Sequence, residues 1–165
     1  MPKAVSSSPP NVAVRKPRDA AEIGAAKALF LDYARSLNFS LCFQDFDAEM
    51  AGFPGKYAPP TGALLLAVVD GVPVGAVGLR DLGGGVCEMK RLYVKPEFRA
   101  LKLGRRLAEA LVAEARALGY RAMRLDTLPD MQSAQALYRS MGFRDIPPYY
   151  DNPIEGARYM EHDLT

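Results

Sequence analysis

The segment Leu92-Tyr93-Val94-Lys95-Pro96-Glu97-Phe98-Arg99-Ala100-Leu101-Lys102-Leu103-Gly104-Arg105 holds the chain's clearest chemical pattern. An apolar, strand-like run passes into a turn, and the turn opens a helix pattern. A helix start leaves about four backbone amides without partners, and its dipole favours negative charge. Arg99, Lys102, Arg105 and Arg106 add full positive charges at that end, which suits a phosphate or pyrophosphate. A solvated basic turn has the same composition, and the residues alone leave both readings open.

A second candidate is Glu88, an acidic residue in the middle of an otherwise apolar run. Such a carboxylate beside a cleft could act as a base, directly or through water. A cross-strand ion pair with a basic neighbour such as Arg124 explains it equally well. The other reactive types carry less. Cys42 and Cys87 make no disulfide framework and read as small buried hydrophobes in a reducing compartment. With the single histidine, His162, they give no metal pattern, and none is expected. His162 falls in a terminal strand, where a sheet-surface role suits it.

The elements that must position these residues follow from periodicity and punctuation. Residues 1–11 read as a disordered tail, with three serines in a row followed by two prolines and nothing to bury. Val12 to Arg15 is a short strand. Asp19 and Glu22 have capping-box spacing ahead of a helix carrying Ile23, Ala26, Phe30, Tyr33 and Leu37. A short helix near Ala48 to Ala51 precedes a loop rich in glycine and proline. Ala63 to Val69 and Val72 to Leu79 flank Asp70-Gly71, a strong hairpin signal. After Gly83-Gly84-Gly85, the run Val86 to Val94 is a third strand of this group.

That strand changes phase. Cys87 and Met89 put its apolar set on odd positions, whereas Leu92 and Val94 put it on even ones. The switch implies a bulge or twist near Lys90 and Arg91, although a strand buried on both faces gives a similar pattern. Leu103, Leu107, Leu111, Ala115 and Leu118 then form one helical stripe ending at Gly119. Ala122 to Leu128 is a strand, and Asp130 is placed to cap a helix with Ala134, Leu137, Tyr138 and Met141, stopped by Gly142. Phe143 to Ile146 and Ala157 to Leu164 close the set as strands. This order predicts one three-layer α/β domain over residues 12–165, with a mixed, mostly antiparallel sheet of six to seven strands and about four helices.

Composition narrows the function classes. The chain has 165 residues, a formal net charge of +2, 49% hydrophobic and 24% charged residues. The basic residues are spread out except from Lys90 to Arg106, which favours a small anionic ligand over nucleic acid. The longest apolar stretch is broken by Asp70, Gly71 and Pro73, so no membrane span is expected, and the first residues lack the apolar core of a secretory signal. These features predict a cytoplasmic protein.

The Leu92 to Arg105 segment also resembles the acetyl-CoA signature of the GNAT superfamily of N-acetyltransferases. Arg99-x-x-Lys102-x-Gly104 matches its Gln/Arg-x-x-Gly-x-Gly/Ala pattern, with lysine where glycine is usual. Ala134-x-x-Leu137-Tyr138-x-x-x-Gly142-Phe143 resembles the second landmark at the expected distance, with Met131 where many members have asparagine. The resemblance covers roughly residues 12 to 164 and implies transfer of an acetyl group from acetyl-CoA to a primary amine.

It implies further that Leu92, Tyr93 and Val94 flank the pantetheine arm, and that Arg99, Ala100, Leu101, Lys102, Leu103, Gly104 and Arg105 hold the pyrophosphate. A backbone amide near Leu92 would face the oxyanion. Tyr138, otherwise a core tyrosine on its helical stripe, would protonate the thiolate. The acceptor would meet Phe43, Gln44, Tyr149 and Tyr150. Acidic residues are not clustered there, which favours a small amine or amino acid over a polycation. A homodimer is in keeping with the family. A non-catalytic acyl-CoA sensor or partner-binding domain of the same fold is the alternative, suggested by Lys102 and Met131.

Overall fold

A computed structural model describes residues 9–37, 41 and 45–165. Its sheet is built from β1 (Val12–Arg15), β2 (Ala63–Val69), β3 (Val72–Gly83), β4 (Val86–Val94), β5 (Ala122–Thr127), β6 (Arg144–Ile146) and β7 (Arg158–Asp163). The helices are α1 (Ala20–Ser36), α2 (Phe46–Ala51), α3 (Leu103–Ala117) and α4 (Gln132–Met141), with 3₁₀ turns at Gly55–Tyr57 and Pro96–Leu101. The strands lie in the order β1-β2-β3-β4-β5-β7-β6. Every neighbouring pair is antiparallel except β4 with β5. The α/β class, the mixed sheet and its seven strands follow the sequence pattern.

β2 is buried along its whole length because both faces are covered. Its odd residues, Ala63, Leu65, Ala67 and Val69, join the core under α3. Leu64, Leu66 and Val68 join a second core with Phe30 of α1, Phe46 and Met50 of α2, and Tyr57. On α3, Leu103, Leu107, Leu111 and Ala115 are fully buried, four residues apart on one stripe. The hairpin turn has positive φ at both Asp70 (49°) and Gly71 (83°), which matches the right-handed twist of the strands it joins.

Four local expectations change. Asp19 caps α1 by accepting from the Glu22 amide at 2.9 Å, but the Glu22 carboxylate does not return the bond. It goes to Arg15 at 2.8 Å on both oxygens and to the Arg18 amide, because a bidentate guanidinium outcompetes a single amide. Asp130 does not cap α4: Met131 is the cap residue and makes no side-chain bond. β3 runs past Leu79 to Gly83, since Arg80 and Asp81 still find partners in Glu88 and Cys87. Asn11, assigned to the tail, is tied to the hairpin turn through Asp70, with bonds of 2.8 and 2.9 Å.

Candidate functional site

β4 carries the bulge that its phase change implied. Gly78 pairs with Lys90 and Ala76 with Tyr93, so Arg91 and Leu92 both fall opposite Val77. Arg91 takes a positive φ of 63°, a conformation a non-glycine residue adopts only at a cost of about 1–3 kcal/mol. Its guanidinium offsets that cost by pairing with Glu49 at 3.2 Å and covering the Phe46 ring at 5.1 Å. Before the bulge Cys87 and Met89 face α3; after it Leu92 and Val94 do.

β4 and β5 pair only at Val86–Ala122, Cys87–Met123 and Glu88–Arg124. Beyond Glu88 they separate, and a cleft of about 640 Å³ opens between them. Met89 to Val94 form one wall, and Leu125 to Leu128 with Ala134, Leu137 and Tyr138 form the other. Arg99, Lys102, Gly104 and Arg105 line its outer end, whereas Ala100, Leu101 and Leu103 do not. Leu103 is instead a core residue, with no exposed surface.

The outer end presents a helix start with free amides beside basic side chains. Arg106 makes the first helical bond of α3, to the Lys102 carbonyl, so the amides of Leu103, Gly104 and Arg105 precede the ladder. No side chain caps this end. Lys102 sits at φ 56°, ψ 35°, the left-handed geometry that glycine would adopt freely. A Cβ on Gly104 would meet nothing, so that side is open space. Arg99 donates from Nε to the Val94 carbonyl at 3.1 Å and lies over the Tyr93 ring at 5.9 Å. Arg105 reaches Ser140 Oγ at 2.5 Å and Glu109 at 3.0 Å, joining α3 to α4.

Further in, two hydroxyls line the cleft. Thr127 is 1% exposed, and its buried Oγ1 has no partner among the described residues, an acceptor and donor left for a ligand. Tyr138 packs on Phe143 with ring centroids 5.6 Å apart, and burial pushes its phenol well above the ordinary value. Gly142, at φ 105°, lets the Phe143 amide return to the Tyr138 carbonyl at 3.0 Å, closing a Schellman turn that fixes both rings.

Where β4 meets β5, the opposite face of the sheet is polar. Glu88 is fully buried and does not line the cleft. Arg80 Nε meets its Oε1 at 2.6 Å, and the Tyr149 hydroxyl donates to Oε2 at 2.5 Å. The ion-pair reading of Glu88 therefore holds with Arg80 rather than Arg124, whose guanidinium goes to Glu161 at 2.8 Å. Tyr149 and Tyr150, expected to hold the acceptor, do not line the cleft either. Their rings pack edge-to-face against Tyr159, and the Tyr150 hydroxyl donates to Asp126. Phe43 and Gln44 lie outside the described residues.

Sequence reasoning missed Asp126. It lines the cleft, with its side chain 9% exposed, and Lys90 Nζ stands 3.6 Å from Oδ1. Its β5 neighbours Leu125 and Thr127 face the α4 side, so Asp126 projects to the face opposite Tyr138. The available signal was an acidic residue in a strand one landmark upstream of Tyr138. Among the described residues, no group of three His, Cys, Asp or Glu side chains could hold a metal ion. No helix there is long and apolar enough to cross a membrane.

Comparison with known proteins agrees with this geometry. Residues 26–143 match the model of the acetyltransferase (GNAT) family. An uncharacterized N-acetyltransferase of Schizosaccharomyces pombe is 39% identical over 159 residues, covering 95% of this chain and 98% of that protein. An IAA acetyltransferase of Azospirillum brasilense is 40% identical over 111 residues, covering 65% of this chain and 71% of that one. The structure of a Salmonella typhimurium protein with its cofactor acetyl-CoA superposes with a TM-score of 0.71 at 20% identity, covering 93% and 94% of the two chains. With a cleft that opens at the β4–β5 split and a family match over most of its length, the chain belongs to the GNAT family and is an acetyltransferase that acts with acetyl-CoA.

Proposed function

We propose that the enzyme acetylates the primary amine of a small molecule or amino acid by direct attack on the thioester, with Tyr138 as general acid. The observation that carries this reading is that one cleft receives Tyr138 from the α4 side and Asp126 from the opposite face of the sheet. Proton donor and proton acceptor thus flank the place where the strands part. Asp126, rather than the enclosed Glu88, takes the amine proton in this reading, through water.

The amides of Leu103, Gly104 and Arg105 and the charge of Lys102 hold the pyrophosphate, while Thr127 Oγ1 offers a hydrogen bond to the pantetheine arm. A backbone amide near Leu92, where the bulge interrupts regular pairing, faces the carbonyl oxygen as it gains charge. Tyr138 then gives its proton to the departing sulfur. Its phenol is protonated at neutral pH even at the ordinary tyrosine value, and burial in the free protein holds that proton more firmly still. Around Lys90, Arg91 and Asp126 of the cleft, the neighbouring Arg80, Glu49 and Glu88 complete a charge balance that offers a polycation no net attraction. The buried thiol of Cys87 suits a cytoplasmic setting, which belongs to the same reading.

The test is thiol release from acetyl-CoA across a panel of small amines and amino acids. Turnover with at least one acceptor is the expected result. Binding of CoA without turnover of any acceptor would overturn the reading.

A further inference from the structure

Lys90 is 4% exposed and lines the cleft, an unusual place for an ammonium group. Its position explains why it is tolerated. The last main-chain pair joining β4 to β5 is Glu88 with Arg124. Two residues further along each strand, on the same face, stand Lys90 and Asp126. In a continuing parallel ladder they would be opposite one another. The ladder has ended, and a side-chain bridge takes its place: Nζ lies 3.6 Å from Asp126 Oδ1 on β5 and 3.9 Å from Glu88 Oε1 on β4.

Asp126 is held from a second direction. Its Oδ2 accepts from the Tyr150 hydroxyl and from Asn152 Nδ2 at 3.3 Å, both on the segment before β7. Tyr159 is paired with it on β7, and the phenols of Tyr138, Tyr33 and Tyr149 lie within reach of its charge. Lys90 brings a positive charge to this group. Burial, with Arg91 and Arg80, pulls the Lys90 ammonium below its ordinary value, and Asp126 and Glu88 oppose that pull. An ammonium at this separation acts as a point charge rather than a fixed fork, so it fixes where the carboxylate stays without blocking a water from it.

We propose that Lys90 is a positioning residue, which spans the opening between β4 and β5 and holds the Asp126 carboxylate where the acceptor amine gives up its proton. This rests on the reading of Asp126 given above. In this role Lys90 acts through Asp126.

A double-mutant cycle on the full chain tests it, using the best acceptor from the amine panel. Lys90→Met should lower kcat by about 10- to 100-fold, up to the low end of acid–base contributions, and leave KM for acetyl-CoA within about twofold. Asp126→Asn should lower kcat at least as far. The decisive number is the double variant: because Lys90 works through Asp126, K90M should cost nothing further once D126N is present. Equal costs in both backgrounds would overturn the positioning role and leave Asp126 as proton acceptor. Full turnover by D126N would overturn both readings, and full turnover by K90M with D126N inactive would overturn this one alone. If K90M does not fold, Lys90→Gln, which keeps a donor toward Asp126 without the charge, enters the same cycle.

Discussion

Tyr149 reaches across from the segment before β7 to Glu88 on β4, and its hydroxyl donates to Oε2 at 2.5 Å. The next residue, Tyr150, donates to Asp126 on β5. Consecutive tyrosines thus fasten one segment to both strands that border the opening. Tyr149→Phe would remove the donor and leave a buried carboxylate oxygen without it. The cost should be about 1–3 kcal/mol of unfolding free energy, measured by urea denaturation against the parent chain.

Tyr138→Phe removes the proposed acid and keeps the ring against Phe143. The kcat should fall by about 10²–10⁴, the usual contribution of a general acid, while CoA affinity by calorimetry stays within about twofold. An unchanged kcat would take Tyr138 out of the mechanism.

Lys102 presents opposed effects at one position. Lys102→Gly relieves the left-handed conformation and should stabilise the free protein by about 1 kcal/mol, or about 2–4 °C in Tm for a chain of this size. The same change removes a cation beside the first α3 amides, so CoA should bind more weakly. Thermal melting with and without CoA reads both: the variant melts higher alone and gains less from the ligand.

Gly78 carries a packing prediction. A Cβ there would fall 2.6 Å from the Tyr57 ring, which is itself wedged against Phe30 and Phe53. With that ring buried against them, Gly78→Ala should cost about 1–3 kcal/mol from overpacking, again measured by urea denaturation.

The acid limb of the stability curve has a named source in Glu22. The bond from Arg15, helped by the Arg18 amide, holds its carboxyl down at about 2, from 4.5. A depressed carboxyl contributes stability above its unfolded value and loses it as pH falls toward the folded one. Glu22→Gln should therefore melt lower than the parent at neutral pH, and the gap should close between pH 4.5 and 2 in a series of thermal melts.

How far the sequence reached depended on the range of each interaction. Asp70-Gly71, the α3 stripe and the β4 phase change are local patterns, fixed by backbone geometry within a few residues, and each appears in the fold where its spacing put it. The basic, uncapped start of α3 was legible for the same reason. Glu88, Tyr149 and Tyr150 were not, because Tyr149 lies 61 residues beyond its carboxylate partner and no spacing rule connects them. Asp126 was hidden more simply. It sits on the polar face of an alternating strand, where a carboxylate looks like a solvent-facing residue until another segment is known to cover it. Asp130 shows the opposite error: it had the residue type of a helix cap without the geometry.

Only three register pairs join β1–β4 to β5–β7 through main-chain bonds. The sheet is therefore two antiparallel rafts sharing a seam no longer than the edge pairing of β6 with β7. Local opening should start there, and amides at the free ends of β4 and β5 should exchange faster than those in the β2–β3 ladder. A ligand lying in the split would act as the missing strand between the rafts. Its binding would then stiffen the whole sheet, raising the free energy of opening along with that of global unfolding.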